Sequence, residues 1–291
     1  MVRESTLMVG AINIAMHTPH SPARYVELFD KIYSMKKIVE AHGVHGALIG
    51  NLYRLQKDSP EDGLIGEFYQ FIQLDPNEPW FDLESKDEAS EDDIQSIVIP
   101  EKLKPHLARF PFVFFPKGHR LYIQLKSKNR SFGVKTAAKV MEALLVDQRL
   151  EEFGPIEVTV EPDRNSVASI FEIPYIHQLK IELVRPNPDD HQDAERRLLD
   201  RLQNQGAKKM VVALSSSRST TLEPDEETKT LARVAASNGY VYASGHDASD
   251  HPVERSTKDS PWVERPVYDS QLQTSNDVLY ETAAQMHVQL A

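Results

Sequence analysis

Ten Lys and Arg side chains fall within residues 102–141, and no Asp or Glu stands among them. Acids make up 44 of the 291 residues, so a window of this length would carry about six by chance. With the whole chain at −11 and this run at +10, the remainder holds −21. The chemistry open to such a run is electrostatic: each cation neutralises a phosphate and releases its counterions. Lys126, Lys128 and Arg130 cluster in the turn KSKNRSFG. Lys135 and Lys139 follow at the start of a helix, where backbone N–H groups favour anions. Together with Lys117 and Arg120 they form the candidate nucleic-acid-binding set. Phe112, Phe114, Phe115, Tyr122 and Phe132 are interleaved, which leaves base stacking open, although FVFF reads first as core.

Other chemistries find little support. No G-x-x-x-x-G-K loop, G-x-S-x-G elbow, H-E-x-x-H pair or R-x-x-x-x-H ribonuclease motif occurs. The chain has no Cys, which excludes disulfides, thiolate zinc sites and thiol catalysis. His17 with His20, and His42 with His45, have a spacing that suits one divalent ion if their loops meet. The stretch HDASDH supplies His246, Asp247, Asp250 and His251 as metal-ligand types. Glu84 with Lys86, and Glu227 with Lys229, match the E-x-K spacing of metal-dependent nucleases. Each of these also reads as ordinary polar surface, so no catalytic residue, metal or cofactor is assigned.

The elements that must position the cations follow from periodicity. Residues 7–16 read as a buried strand, and Ser21 with Pro22 opens a helix that carries Tyr25, Leu28, Phe29 and Ile32 on one face. Strands are predicted over 47–56 and 64–74. The acidic stretch 84–93 then reads as a linker between a β-α-β-β domain, 1–83, and a second domain, 94–291. In the second domain a buried strand, Phe112 to Phe115, precedes an alternating one, in which Tyr122, Gln124 and Lys126 share the polar face. An amphipathic helix runs through Val134, Ala138, Met141 and Leu145. Strands near 156–160, 179–183, 210–214 and 240–243 and helices over Asp193 to Gln203 and Asp225 to Ser237 follow. The polar stretch 245–269 reads as a mobile or partner-ordered arm, before a short terminal helix. The expected class is α+β, with two half-open antiparallel or mixed sheets, helices on one face, and ferredoxin-like halves. The N-terminus has no basic segment leading into an apolar one, and no eighteen-residue apolar run occurs. A cytoplasmic protein without membrane contact is expected.

The segments FPFVFFPKGHRLYIQLKSKNRSFG and IEVTVEPDRNSVASIFEIPYIHQLKIELVRPNPDD resemble a bacterial family of unknown function carried on mobile elements. Over residues 97–190 the element order is similar to that of the lambdoid Rex A phage-exclusion protein. The resemblance implies a homodimeric, DNA-associating defence protein, with a possible partner from the same defence system, and carries over no catalytic residue. The expected function is largely sequence-nonspecific DNA binding or sensing in anti-phage defence, without chemistry of its own. Two alternatives stay open: a metal-dependent nuclease, and a module whose basic face meets an acidic protein such as a DNA mimic.

Overall fold

The computed structural model describes residues 3–17, 21–75, 78–100, 102–184, 201–202, 204–217 and 220–290. A short strand β1, Glu4–Thr6, leads into β2, Val9–Met16, in which every residue is buried. Ser21 caps α1, Pro22–Met35, by accepting from the Arg24 N–H, and Pro22 takes the first helical position. Next come β3, Val39–His42, β4, His45–Arg54, and β5, Leu64–Ile72. A small hairpin, β6, Phe81–Asp82, and β7, Asp87–Glu88, precedes α2, Glu91–Ser96. The acid-free run then forms β8, Ala108–Phe115, β9, Arg120–Gln124, and the hairpin β10, Lys126–Ser127, with β11, Arg130–Ser131. It ends in α3, Val134–Leu145. Beyond lie β12, Ile156–Val160, α4, Ser166–Phe171, β13, Tyr175–Val184, and β14, Lys209–Ser215. The chain continues with α5, Glu226–Ser237, β15, Gly239–His246, and β16, Pro252–Ser256. It closes with β17, Val263–Glu264, β18, Val267–Asp269, and α6, Ser275–Leu290.

These elements make an α+β fold built on two antiparallel sheets. The larger runs β12-β2-β9-β8-β5-β4-β3, with β17 also paired to β2, and it curls into a half-barrel. Period-two alternation sends Ile12, Ile14, Phe110, Phe112 and Phe114 to one face, against α1 and α3. Gly10 lies under α3, where a Cβ would meet a Val134 methyl at 2.3 Å, so only glycine permits this approach. The opposite face, with Val9, Ala11, Val113 and Tyr122, is not solvated, because α6 lies across β2, β8 and β9. Helices therefore cover both faces of this sheet. The smaller sheet, β14-β13-β15-β16, packs Leu179, Ile181, Leu183 and Val241 against Ala232 and Ala235 of α5.

Two sequence expectations are revised. The segment 84–93 does not separate two cores: β5 and β8 on either side of it pair from Leu64↔Phe114 to Gln70↔Ala108, and their apolar residues share one core. A polar insertion between paired strands has the same composition as a linker, and only the pairing distinguishes them. The core instead changes between Val160, packed against the large sheet, and Val167, in the small one. The supposed arm 245–269 is folded, with β16 on β15, β17 on β2 and β18 on β1. Its anchors are a buried Thr257, whose hydroxyl accepts from the Val241 N–H, and a buried Trp262. A search for aliphatic anchors overlooks both. The helix expected over Asp193 to Gln203 lies almost wholly outside the described residues.

A candidate anion-binding surface at one end of the large sheet

At the end of β9 the chain turns outward into the β10–β11 hairpin. Phe132 fixes its base: its N–H donates to the Leu125 carbonyl at 2.8 Å, and its buried ring stacks on Phe110 and Phe68. Lys128 at the tip holds a left-handed backbone, φ 52°. The hairpin leans towards the start of β8 and encloses a cavity of about 590 Å³, lined by Leu107, Ala108, Arg109, Ser127, Lys128, Asn129 and Arg130. Among the described residues no carboxylate lines it.

Its neighbours add positive or protonatable groups. Arg130 Nη2 lies 2.8 Å from His106 Nδ1, which accepts in the neutral ring. The Arg109 guanidinium sits 5.2 Å over the Tyr69 ring, facing its cross-strand partner. His42 and His45 stack at 4.6 Å beside the turn between β3 and β4. Burial, then His42, and after these Arg130 and His106, hold the His45 pKa below its ordinary value. A bound anion would oppose the last three influences. Because its pKa is lowered, His45 becomes charged only as the pH falls below the ordinary imidazole value of about 6.5, so anion affinity is expected to rise as the pH is lowered through and below that value, with net proton uptake on binding. Titrations with one ligand on both sides of that value check this, and a flat profile contradicts it.

The sequence-predicted cations separate into groups. Among the described residues Arg109, Lys126, Lys128 and Arg130 make no ion pair, and all four are exposed. Lys117 lies in the turn at the opposite end of β8 and β9, and pairs with Asp62 at 3.3 Å. Lys135 pairs with Asp259 at 2.7 Å and Lys139 with Glu40 at 3.1 Å. Both lysines line a separate groove between the sheets, with Glu142, Glu157 and Glu182 in its walls. Arg120 is a correction. It is buried under α6, where Nε donates to Glu161 Oε1 at 2.8 Å and Nη1 to the Gly118 carbonyl at 2.6 Å. A strand position that reads as polar and outward has been closed over by a helix from the far end of the chain.

The candidate metal groups also find their places. Among the described residues no three His, Asp or Glu side chains are arranged to hold an ion. His17 lies 3.6 Å from Glu157, and its expected companion His20 falls outside the described residues. His42 and His45 do meet, but beside Arg130 and His106, surroundings that disfavour a further cation. In HDASDH the Asp247 carboxylate accepts from the Ser249 and His251 N–H groups, and Asp250 takes φ 63°: the carboxylate forms the turn. Backbone donation from His251, the leading cause, lowers the Asp247 pKa. Glu84 and Lys86 belong to the β6–β7 turn, and Lys229 pairs with Glu226 on α5.

Arg109, His106, His42 and His45 were missing from the predicted set. The first two lie in the acid-free run and were legible as charge. Their position opposite Lys128 and Arg130 depends on strand register, which composition does not report. Among known proteins, residues 5–284 match the family described as "Domain of unknown function (DUF4747)". No curated protein matches the chain.

Proposed function

The chain belongs to the DUF4747 family, whose description names no activity, and from the surface itself we propose that it binds the phosphate backbone of DNA, largely without regard to sequence. One observation carries this reading: among the described residues the cations around the cavity have no ion-pair partner, whereas Lys117, Lys135 and Lys139 are each neutralised by a carboxylate. Crowding unpaired cations together is unfavourable until a polyanion arrives, and the counterions then released drive association. Arg109 and Arg130 contribute planar forks suited to two phosphate oxygens each, while Lys126 and Lys128 act as point charges. Contacts of this kind position DNA without reading bases. The further proposal of a cytoplasmic DNA-contacting component in anti-phage defence rests on the Rex A likeness of residues 97–190.

Fluorescence anisotropy with two labelled duplexes of unrelated sequence tests the binding. With four phosphates neutralised, log K is expected to fall with log salt at a slope of about −3.6, a loss of roughly 150-fold between 50 and 200 mM. The two duplexes should bind within a factor of about three of each other. A slope near zero, or a strong preference for one duplex, overturns the proposal.

A further inference from the structure

The cationic surface is recessed, and its size and chemistry exceed what a duplex backbone uses. A backbone phosphate is a diester with one negative charge and two free oxygens, presented along the outside of a rod. The phosphate at a strand end is a monoester, with about −1.5 to −2 charges at neutral pH and three free oxygens. The cavity, at about 590 Å³, lies within the range of roughly 300 to 1,000 Å³ usual for pockets that enclose a whole small ligand. Arg109, Lys128 and Arg130 all line it. Two guanidinium forks and an ammonium offer more donors than the two free oxygens of a diester can use, and a third oxygen employs the surplus. These donors are largely uncommitted. Arg109 is held by a ring face, 5.2 Å over Tyr69, and Arg130 by one contact from Nη2 to His106. Lys128 is the first residue of the two-residue turn between Ser127 and Arg130, a position that favours glycine, and it holds φ 52° there. A lysine at this position sets an ammonium on the cavity at a conformational cost.

Carboxylates bound the surface around this cavity. Glu67 Oε2 lies 3.4 Å from the hydroxyl of Tyr69, the ring beneath Arg109. The groove that contains His45, whose ring feels the charges of Arg130 and His106, is lined also by Glu40, Asp75 and Glu78. A duplex lying side-on would carry a negative charge for about every 1.7 Å of its axis past these acids. A duplex that enters by its end meets the cations first and keeps most of its length clear of them. Resting on the DNA-binding reading of this surface, we propose that the cavity takes the terminal phosphomonoester of a DNA strand, with the Arg109 and Arg130 forks and the Lys128 ammonium on its three free oxygens. Lys126, on the same hairpin but outside the cavity lining, is left for the backbone phosphates behind the end. The protein therefore prefers phosphorylated ends, and side-on backbone contact is the weaker mode of the same surface.

Four forms of one internally labelled duplex test this on the full-length chain: 5′-phosphorylated, 3′-phosphorylated, hydroxyl-ended, and closed by a loop at each end. At about pH 7.5, above the second phosphate pKa of about 6, the monoester is mostly dianionic. At least one phosphorylated form is expected to bind about 10- to 100-fold more tightly than the hydroxyl-ended and closed forms, the value of a further charge-assisted hydrogen bond. The double variant Arg109→Lys, Arg130→Lys keeps both charges and removes both forks. Both side chains are exposed, and far-UV circular dichroism verifies folding. This variant should bind the hydroxyl-ended duplex within about threefold of the wild type, while its preference for the phosphorylated end falls below about threefold. Free deoxyadenosine monophosphate should displace the phosphorylated duplex only at far higher concentration than the unlabelled duplex does. Equal binding of all four forms overturns the end site and leaves the DNA reading standing. Binding of none of them removes the DNA reading itself. A preference that survives in the folded double variant overturns the role given to the two forks. Displacement by the free nucleotide as readily as by the duplex overturns the assignment to a strand end.

Discussion

Replacing Arg109, Lys128 and Arg130 together by alanine is expected to weaken duplex binding by about 500-fold at roughly 0.1 M salt, with the fold intact. The estimate follows from counterion release: near that concentration each neutralised phosphate is worth roughly eightfold, and three are removed. The salt slope should drop from about −3.6 to about −0.9, because Lys126 alone remains. The side chains are exposed, so stability should change little; the largest single loss is the Arg109–Tyr69 ring contact, about 0.5 to 1 kcal/mol. The informative control removes the same net charge elsewhere. Lys117→Ala, Lys135→Ala and Lys139→Ala discharge cations already paired with Asp62, Asp259 and Glu40, and should cost less than about tenfold. Equal losses in the two triple variants would show that net charge, and not this surface, attracts DNA.

Arg120→Ala should act on stability instead. Arg120 and Glu161 have side chains only 5% and 1% exposed, and removing the guanidinium leaves a carboxylate in the interior without its cation. Breaking a buried pair from one side costs about 3 to 5 kcal/mol, which for a chain of this size lowers Tm by about 5 to 8 °C. Removing both charges with Arg120→Met and Glu161→Leu should recover most of that loss, since the desolvation of both ions is relieved. Thermal unfolding of the single and double variants checks the pair. An Arg120→Ala protein of unchanged Tm that has lost DNA binding would return this arginine to the binding surface.

The local elements were legible because their signals are local. Ser21 and Pro22 mark the start of α1, the stripe from Val134 to Leu145 marks α3, and the uninterrupted apolar run marks β2. The cationic end of the sheet was half legible, as charge without place. What stayed hidden depends on partners distant along the chain. Arg120 reads as an outward cation until Glu161 and α6 close over it. Lys135 and Lys139 read as free until Asp259 and Glu40 are found beside them. The acidic segment reads as a boundary until β5 is seen to pair with β8.

The same long-range pairing dictates how the chain must be made. Strand β2, apolar and wholly buried in the finished protein, has as neighbours β9, β12 and β17, beginning at residues 120, 156 and 263. At synthesis rates of about 5 to 20 residues per second, β2 emerges from the ribosome roughly 5 to 20 s before its first partner strand. During that interval the aliphatic run VGAINIAM has no ladder to join, and contacts this far apart in sequence form slowly in any case. The nascent chain is therefore a strong client for chaperones that hold apolar segments. Fragments ending before β9 should accumulate as aggregates even though their local elements are well formed.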